Sequence, residues 1–240
     1  MNRIKKIMPK TNLLSRKRVK ILDVYVDSSS TSSLLTAIGQ KLASRHKFYI
    51  VTPNPEIVLE ACKDKLLAKI INDADFSIPD GVGLKLADPN LNIIHGRKMM
   101  EELIKLSKQK KWKTFFLGFK NGPMLDKNGE PATDLDSKVN KDIVKQINKL
   151  KPDIVFVGFG APKQEKWIWK NKDKLNVKCL MAVGGAIDYY SGVKKLPPKW
   201  MQSLELEWLF RLFVEPWRLP RIFKAVIIFP LKVFVNKYFA

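Results

Sequence analysis

The sequence predicts an α/β fold, in which a mostly parallel, Rossmann-like sheet carries helices on both faces and a C-terminal helical appendage follows. Two observations predict the sheet. Short apolar runs such as Ile154–Val157 alternate with helical patterns, and turns rich in glycine or proline follow several of these runs. A third observation predicts the appendage, because the composition becomes aromatic and basic from residue 201 onward.

The elements follow from apolar periodicity and from capping residues. The predicted strands are alternating or continuous apolar runs, at 19–26, 48–51, 75–78, 113–117, 154–157 and 177–183. The predicted helices are the segments of helical periodicity between them, at 33–44, 55–71, 97–110, 136–150 and 162–171. The polar residues 27–31 cap the first helix, and Pro55 and Pro162 suit first-turn positions of two others. Strands that alternate with helices imply parallel pairing.

Length and composition predict one sizeable α/β domain with an extension at each end. The chain has 240 residues, of which 45% are hydrophobic, and this is enough apolar material for a single core. We therefore divide the chain into a basic N-terminal arm at 1–18, an α/β domain at 19–200 and an amphipathic appendage at 201–240.

The net charge of +21 is strongly basic, and part of it lies in the N-terminal arm. The first 20 residues contain no acid, and their basic residues are Arg3, Lys5, Lys6, Lys10, Arg16, Lys17, Arg18 and Lys20. No apolar run follows these charges, so the pattern is not that of a secretory signal peptide. A solvated arm, attraction to anionic lipid and attraction to nucleic acid all fit this charge.

The appendage combines aromatic residues with interleaved Lys and Arg. No stretch of it reaches the roughly 18 to 20 uncharged residues that a membrane-spanning helix needs. Its composition is typical of a helix at the membrane interface, where rings lie among headgroups and cations meet lipid phosphates. We therefore predict a membrane-associating appendage with an anionic membrane surface as partner. A helix packed on the α/β core fits the same sequence.

Cysteine and histidine are too sparse for a disulfide framework or a typical zinc site. Cys62 falls in a helical pattern and Cys179 in an apolar strand, so we predict buried thiols in a reducing compartment. His46 and His95 are the two imidazoles of the chain. The sequence therefore predicts neither a metal site nor a cofactor.

Polar and glycine residues follow four of the predicted strands. These loops are 52–56, 79–83, 158–165 and 184–188. Because the carboxyl ends of parallel strands lie on one side of a sheet, we expect the loops to converge on one cleft. Purely structural interpretations stay open: Thr52, Asn54 and Asp80 could cap helices, and the Gly184-Gly185 pair could form a tight turn.

The cleft residues indicate a class of reaction. Asp80 is a carboxylate at a turn beside glycine, as a general base requires, and a helix N-terminus near Pro162 offers donors to an anion. The chain has neither the P-loop pattern nor the dinucleotide fingerprint after its first strand. A base with anion-binding groups fits attack by a hydroxyl on a carbon that bears a phosphate leaving group. Transfer of a glycosyl group from a nucleotide sugar is one such reaction.

Several segments closely resemble the WecG/TagA/CpsF family of bacterial glycosyltransferases. They occur in the family's order and spacing from about Val19 to the C-terminus, at 52–56, 78–81, 160–167, 183–188 and 207–218. The resemblance implies an inverting, metal-independent transferase on the cytoplasmic face of the membrane. Such an enzyme takes a sugar, for example N-acetylmannosamine, from UDP. It passes that sugar to a polyprenyl-diphosphate-linked saccharide in cell-surface polysaccharide or teichoic acid synthesis.

The resemblance also assigns roles to residues. Asp80 matches the general base, and Asp188 matches a carboxylate at the UDP ribose. The remaining predicted substrate-binding residues lie in the pocket or in the appendage, where arginines meet a diphosphate: Thr52, Asn54, Gln164, Gly184, Gly185, Arg211, Arg218 and Arg221. Bidentate guanidinium suits a diphosphate, which agrees with this assignment. Association into a homo-oligomer is left open.

Two departures from the family pattern stand out. Ile93 occupies the position where the family usually has an arginine, and His95 or Arg97 are candidates to replace it. After Gly118 the family normally has a further helix and strand, which this chain lacks. We expect this loss to affect the edge of the sheet.

An alternative is a catalytically impaired, basic protein that keeps the fold and binds membranes or nucleic acid. The charge and the missing unit favour it, whereas the retained Asp80, Gln164 and Asp188 argue against it. The sequence contains no RNA-binding motif, so we predict no specific nucleic-acid partner.

Overall fold

The computed structural model describes residues 17–44, 46–118 and 138–239. Within these residues, five strands form one parallel sheet in the order β4-β3-β7-β6-β5, and two more strands form a hairpin. The strands are β1 (Arg18–Ile21), β2 (Val24–Asp27), β3 (Phe48–Val51), β4 (Phe76–Ser77), β5 (Thr114–Leu117), β6 (Ile154–Val157) and β7 (Cys179–Ala182). The predicted α/β fold with a parallel sheet is confirmed.

Helices connect the strands and form the C-terminal segment. Those of the α/β part are α1 (Thr31–Ala43), α2 (Pro55–Ala61), α3 (Lys65–Asn72), α4 (Gly96–Lys110), α5 (Lys138–Leu150), α6 (Lys163–Asn171) and α7 (Ala186–Tyr190). Those that follow are α8 (Lys199–Ser203), α9 (Glu207–Val214), α10 (Leu219–Phe223) and α11 (Phe229–Phe239), with a π-helical turn at Lys224–Ile228.

The sheet separates two hydrophobic clusters. In β3, Tyr49 packs into the cluster on one face, whereas Phe48 and Ile50 pack into the cluster on the other. The same alternation places Val155 and Phe156 of β6 on opposite faces. Every residue of β3, β6 and β7 is buried. Burial on both faces explains why these strands are continuous apolar runs.

The single strand predicted at 19–26 is wrong, because this segment is the β1–β2 hairpin. Ile21 pairs with Val24, and the two residues between them form the turn. Leu22 adopts a left-handed conformation there, with φ of 51°. The buried positions are Ile21, Val24 and Val26, so the alternation shifts by one residue at the turn, and this shift was a sign of the reversal in the sequence.

The single helix predicted at 55–71 is also wrong, because it divides into α2 and α3. Helix α2 ends before Cys62, and Asp64 starts a new helix by accepting a hydrogen bond from the Leu67 N–H at 3.0 Å. An aspartate is a strong N-cap, so a local signal for this break was present in the sequence. The other predicted elements occur within two residues of their expected ends wherever those ends are described.

The appendage packs on the α/β part through few residues and exposes many. Phe229 is fully buried in one of the two core clusters, whereas α9, α10 and the π-helical turn contain no buried residue. Phe213, Trp217 and Phe239 are each at least 70% exposed. These observations therefore fit both predictions for this segment, a helix packed on the α/β core and a helix at the membrane interface. No helix in the described ranges combines the length and the hydrophobicity needed to cross a membrane.

Some expectations lie outside the described residues. The basic arm falls there except for its last two residues, and so does segment 119–137, where the missing helix and strand are expected. Both thiols are free, and the predicted burial is confirmed for Cys179 but wrong for Cys62, which is half-buried at the end of α2.

Candidate active site

A cavity of about 470 Å³ lies at the carboxyl edge of the sheet. Each of the four strand-end loops contributes to its wall, and the appendage closes one side. The predicted site residues that line it are Thr52, Asn54, Asp80, Gln164, Gly184, Gly185, Arg211, Arg218 and Arg221. The volume is in the range typical of small-molecule sites. The loops therefore converge as the topology predicts.

Asp80 lies between the loop after β4 and the N-terminus of α4. Its backbone N–H donates to the Pro53 carbonyl at 2.9 Å, which fixes the loop to its neighbour. Its carboxylate is one-third exposed and lies 3.7 Å from Nδ1 of His95. It caps no helix, because the short helical turn that follows has no side-chain cap. Asp80 is thus free to face the cavity.

Gly96 permits the close approach of α4 to this carboxylate. A Cβ atom at Gly96 would lie 3.0 Å from the Thr52 methyl carbon and 3.3 Å from Oδ2 of Asp80. Any larger residue would displace the start of the helix. The positive end of the α4 dipole therefore lies beside Asp80, an arrangement that favours a negative charge at this position.

Gln164 is almost fully buried in the first turn of α6, with both ends of its amide engaged. Its Oε1 accepts from the Gly184 N–H at 2.9 Å, and its Nε2 donates to Oε1 of Glu165 at 2.8 Å. These bonds connect the loop after β6 to the loop after β7. Glu165 is fully buried, and this burial raises its pKa to about 7, against a smaller lowering by the Gln164 hydrogen bond.

Thr52 and Asn54 have structural roles as well as a place in the cavity wall. The Thr52 hydroxyl donates to the Ala182 carbonyl at 3.2 Å and so joins the ends of β3 and β7. The Asn54 side-chain oxygen accepts from the Ile57 N–H at 2.9 Å and caps α2. The capping interpretation is therefore confirmed for Asn54, and it is compatible with a contact to substrate.

Three arginines of the appendage line the cavity, as predicted. Arg221 contacts Glu56 through Nε at 2.6 Å, and Arg218 contacts Glu215 through the same atom. The guanidinium group of Arg211 lies 5.4 Å from the centre of the Tyr189 ring. A guanidinium has five donors, so contacts through Nε alone leave the terminal nitrogens able to bind an anion.

Asp188 is close to this site but does not line the cavity. It lies 3.3 Å from Nζ of Lys194, which also contacts Glu215 of the appendage at 2.8 Å. Its assignment to the donor ribose stays a prediction.

The sequence reasoning missed the acidic residues of the appendage. Glu205, Glu207 and Glu215 are the acids of segment 201–240, and each pairs with a base of the α/β part. Their partners are His95, Arg97 and Lys194. A signal was present, because three acids in an otherwise basic segment are unusual, but the identity of their partners depends on the tertiary structure.

The match to known proteins covers almost all of the described residues. Residues 19–240 match the family model described as glycosyl transferase WecG/TagA/CpsF family. The chain belongs to this family. A relative from Staphylococcus aureus strain MRSA252 is 31% identical over 90% of this chain and 92% of its own length. That relative is named N-acetylglucosaminyldiphosphoundecaprenol N-acetyl-β-D-mannosaminyltransferase, as is a second from strain NCTC 8325, which is 30% identical over the same shares.

The structure shows the surroundings of Ile93, where the family usually has an arginine, and of the two candidate replacements. Ile93 packs against a core cluster, whereas His95 and Arg97 both line the cavity. Arg97 is 9% exposed and pairs with Glu101 at 3.0 Å and with Glu207 at 3.3 Å. Two bases at the start of α4, one just before the helix and one in its first turn, thus contact the cavity and the appendage in this member of the family.

Within the described ranges, no three His, Cys, Asp or Glu side chains are grouped so that they could hold a metal ion. The charged groups of the cavity wall are carboxylates, one imidazole and guanidinium groups. Such a wall can accept a proton from a hydroxyl at one side and bind an anion at the other.

Proposed function

We propose that this glycosyltransferase inverts the configuration of the sugar it transfers from a UDP-sugar. The sugar is N-acetylmannosamine or a close analogue, and the acceptor is a saccharide on a polyprenyl diphosphate. The names of the Staphylococcus relatives support both substrates, because they specify an N-acetylmannosaminyl group and an N-acetylglucosaminyl-diphosphoundecaprenol acceptor. The product enters cell-surface polymer synthesis.

One observation carries the proposal: the Asp80 carboxylate and the guanidinium groups of Arg211, Arg218 and Arg221 share a single cavity. Asp80 accepts the proton of the acceptor hydroxyl as its oxygen bonds to the anomeric carbon. The bond from that carbon to the β-phosphate oxygen breaks in the same step, and UDP leaves with the electron pair. A single displacement of this kind inverts the anomeric configuration.

The leaving diphosphate gains negative charge during this step. Guanidinium groups stabilise such a charge by paired, charge-assisted hydrogen bonds, and they need no divalent ion for this purpose. Gln164 and the Gly184-Gly185 turn also line the cavity, where we propose that they contact the sugar and nucleoside part of the donor. We therefore expect a metal-independent reaction.

Catalysis at the cytoplasmic face of the membrane fits the appendage. Its exposed aromatic side chains and its Lys and Arg residues suit an anionic lipid surface, and a polyprenyl-linked acceptor is anchored in that surface. The protein would bind there peripherally.

The deciding experiment identifies the product. The protein is incubated with a short-chain polyprenyl-diphosphate N-acetylglucosamine and a panel of UDP-sugars, and the lipid fraction is analysed by mass spectrometry and NMR. We expect one added N-acetylhexosamine with inverted configuration. Binding of UDP and liposomes without transfer would instead identify the catalytically impaired binding protein, and a retained configuration would exclude single displacement.

The same assay tests the role of metal. EDTA should leave the initial rate unchanged, because arginines take the place of a divalent ion at the diphosphate. Manganese or magnesium added afterwards should likewise have no effect. Loss of turnover with EDTA and its recovery with either ion would show that this description of the leaving group is wrong.

A further inference from the structure

His95 is the residue at which the cavity, helix α4 and the appendage meet. It immediately precedes α4, and 17% of its side chain is exposed. Its Nδ1 lies 3.7 Å from Oδ1 of Asp80, and its Nε2 lies 3.0 Å from Oε2 of Glu205. Each ring nitrogen therefore faces a carboxylate from a different part of the chain.

The surroundings favour the doubly protonated ring. Only an imidazolium has a donor at both nitrogens, so only this form can donate to both carboxylates at once. The close contact with Asp80 raises the pKa of His95, burial lowers it, and the charges of Asp80, Glu205 and Glu207 raise it further, so that the pKa is raised overall. The neighbouring cation, Arg97, is engaged by Glu101 and Glu207.

The turn between α8 and α9 directs Glu205 towards this ring. Glu205 has a φ of 58°, a left-handed conformation that is uncommon for residues other than glycine. Its N–H donates to the Gln202 carbonyl at 3.2 Å, and two residues later Glu207 contacts Arg97. Two adjacent acid–base pairs thus connect this turn and α9 to the first turn of α4.

We propose that His95, as an imidazolium ion, is a positioning residue that holds the Asp80 carboxylate in the cavity and couples it to the docked appendage through Glu205. The proposal rests on the proposed function, because it takes Asp80 as the base. His95 does not itself accept the proton of the acceptor, since an imidazolium ion has no nitrogen lone pair to accept it.

A pH dependence follows from this arrangement. The neutral ring can donate from one nitrogen only, so it can hold one of the two carboxylates but not both. Because the contacts raise the pKa of His95 in the folded chain, their stabilising effect is complete at pH values below the ordinary histidine pKa. It is lost as the pH rises through the raised value.

The chain provides its own reference for a test by NMR. His46 is the other histidine and is exposed, so the two imidazole signals can be titrated together in the full-length protein. We expect the pKa of His95 to fall in Asp80→Asn and in Glu205→Gln, with the His46 signal recorded in the same spectra as the control. An unchanged pKa of His95 in either variant would overturn the proposal.

Turnover of a water-soluble acceptor analogue gives the second measurement, with His46→Gln as the matched control for His95→Gln. Displacement of a reacting group by about 1 Å can cost about 100-fold in rate, so we expect kcat of His95→Gln to fall by tenfold or more. The donor KM should change by less than about threefold, because UDP contacts are elsewhere. The fall in wild-type kcat at alkaline pH should be absent from the variant. Equal kcat for His95→Gln and wild type at every pH would overturn the proposal.

The two measurements also separate this proposal from the proposed function. If Asp80→Asn keeps its turnover, Asp80 is not the base and the proposed mechanism fails, whatever the NMR titration gives. If Asp80→Asn is inactive but the pKa of His95 does not depend on Asp80 or Glu205, only the coupling through His95 fails.

Discussion

Asp80 is the residue whose substitution tests the reaction most directly. Asp80→Asn keeps the shape of the side chain but removes the proposed base, so we expect turnover to fall by roughly 100- to 10,000-fold. UDP binding should stay within a few-fold of wild type, because the base acts on the acceptor. Initial rates and calorimetric titration with UDP measure the two effects.

The matched control for this variant is Asp142→Asn, an exposed carboxylate on α5 that does not line the cavity. It should leave both the rate and UDP binding unchanged. Asp80→Asn with more than a tenth of wild-type turnover would remove Asp80 from the role of base.

The burial of Glu165 leads to a prediction about the pH dependence of the unfolding free energy. Its buried carboxyl has a pKa of about 7 in the folded chain, against an ordinary value of 4.5. A carboxyl with a raised pKa stabilises the folded state when protonated, so its contribution is lost as pH rises from the ordinary value to the raised one. This loss amounts to about 3 kcal/mol.

Glu165→Gln keeps an acceptor for Gln164 and has no proton to lose. Relative to wild type, the variant should therefore gain about 3 kcal/mol of unfolding free energy between pH 4.5 and pH 8. Urea denaturation at several pH values measures this difference. The control is Glu102→Gln, at a half-exposed carboxylate on α4, which should show no such gain. The absence of a gain in Glu165→Gln would mean that the buried carboxyl is ionised throughout.

At the scale of the element, the appendage has aromatic side chains that are exposed to solvent and arginines that line the cavity. Phe213 and Trp217 are exposed, whereas Arg218 and Arg221 line the cavity. The double variant Phe213→Ser/Trp217→Ser should lose liposome binding, by about 1.5 to 3 kcal/mol for each side chain that enters the lipid. It should keep its turnover of a water-soluble acceptor analogue.

The double variant Arg218→Ala/Arg221→Ala is the complementary test. Its liposome binding should weaken by only about 1 kcal/mol per charge, whereas its turnover of the soluble acceptor should fall much further. Lost partitioning with unchanged turnover would identify these arginines as a lipid anchor. Substitutions are preferable to truncation after Ser203, which would also remove the buried Phe229 from the core.

The elements differ in how far the sequence could predict them. Strands β3 and β6 were predicted with their observed ends, because burial on both faces leaves an unmistakable apolar run. The β1–β2 hairpin was not, since Asp23 is the single typical turn residue of its two-residue turn and a left-handed Leu22 is stabilised only by its context.

The residues of the candidate site also differ in how far the sequence could predict their contacts. Convergence of Thr52, Asp80, Gln164 and Gly184 could be predicted, because parallel strands deliver their carboxyl ends to one edge. The pairing of Glu205 with His95 could not, since 110 positions separate these residues (205 − 95) and only the docked appendage brings them together. Residue roles beyond this placement stay predictions.

At the scale of the whole molecule, the segment that lines one part of the cavity is also the segment whose exposed aromatic side chains we propose to enter a bilayer. An enzyme held in this way would not extract its acceptor into water. It would search for the acceptor by lateral diffusion, in two dimensions. Its rate would then follow the number of acceptors per unit of membrane area, so that carrier lipid added at constant bulk acceptor concentration would slow the reaction.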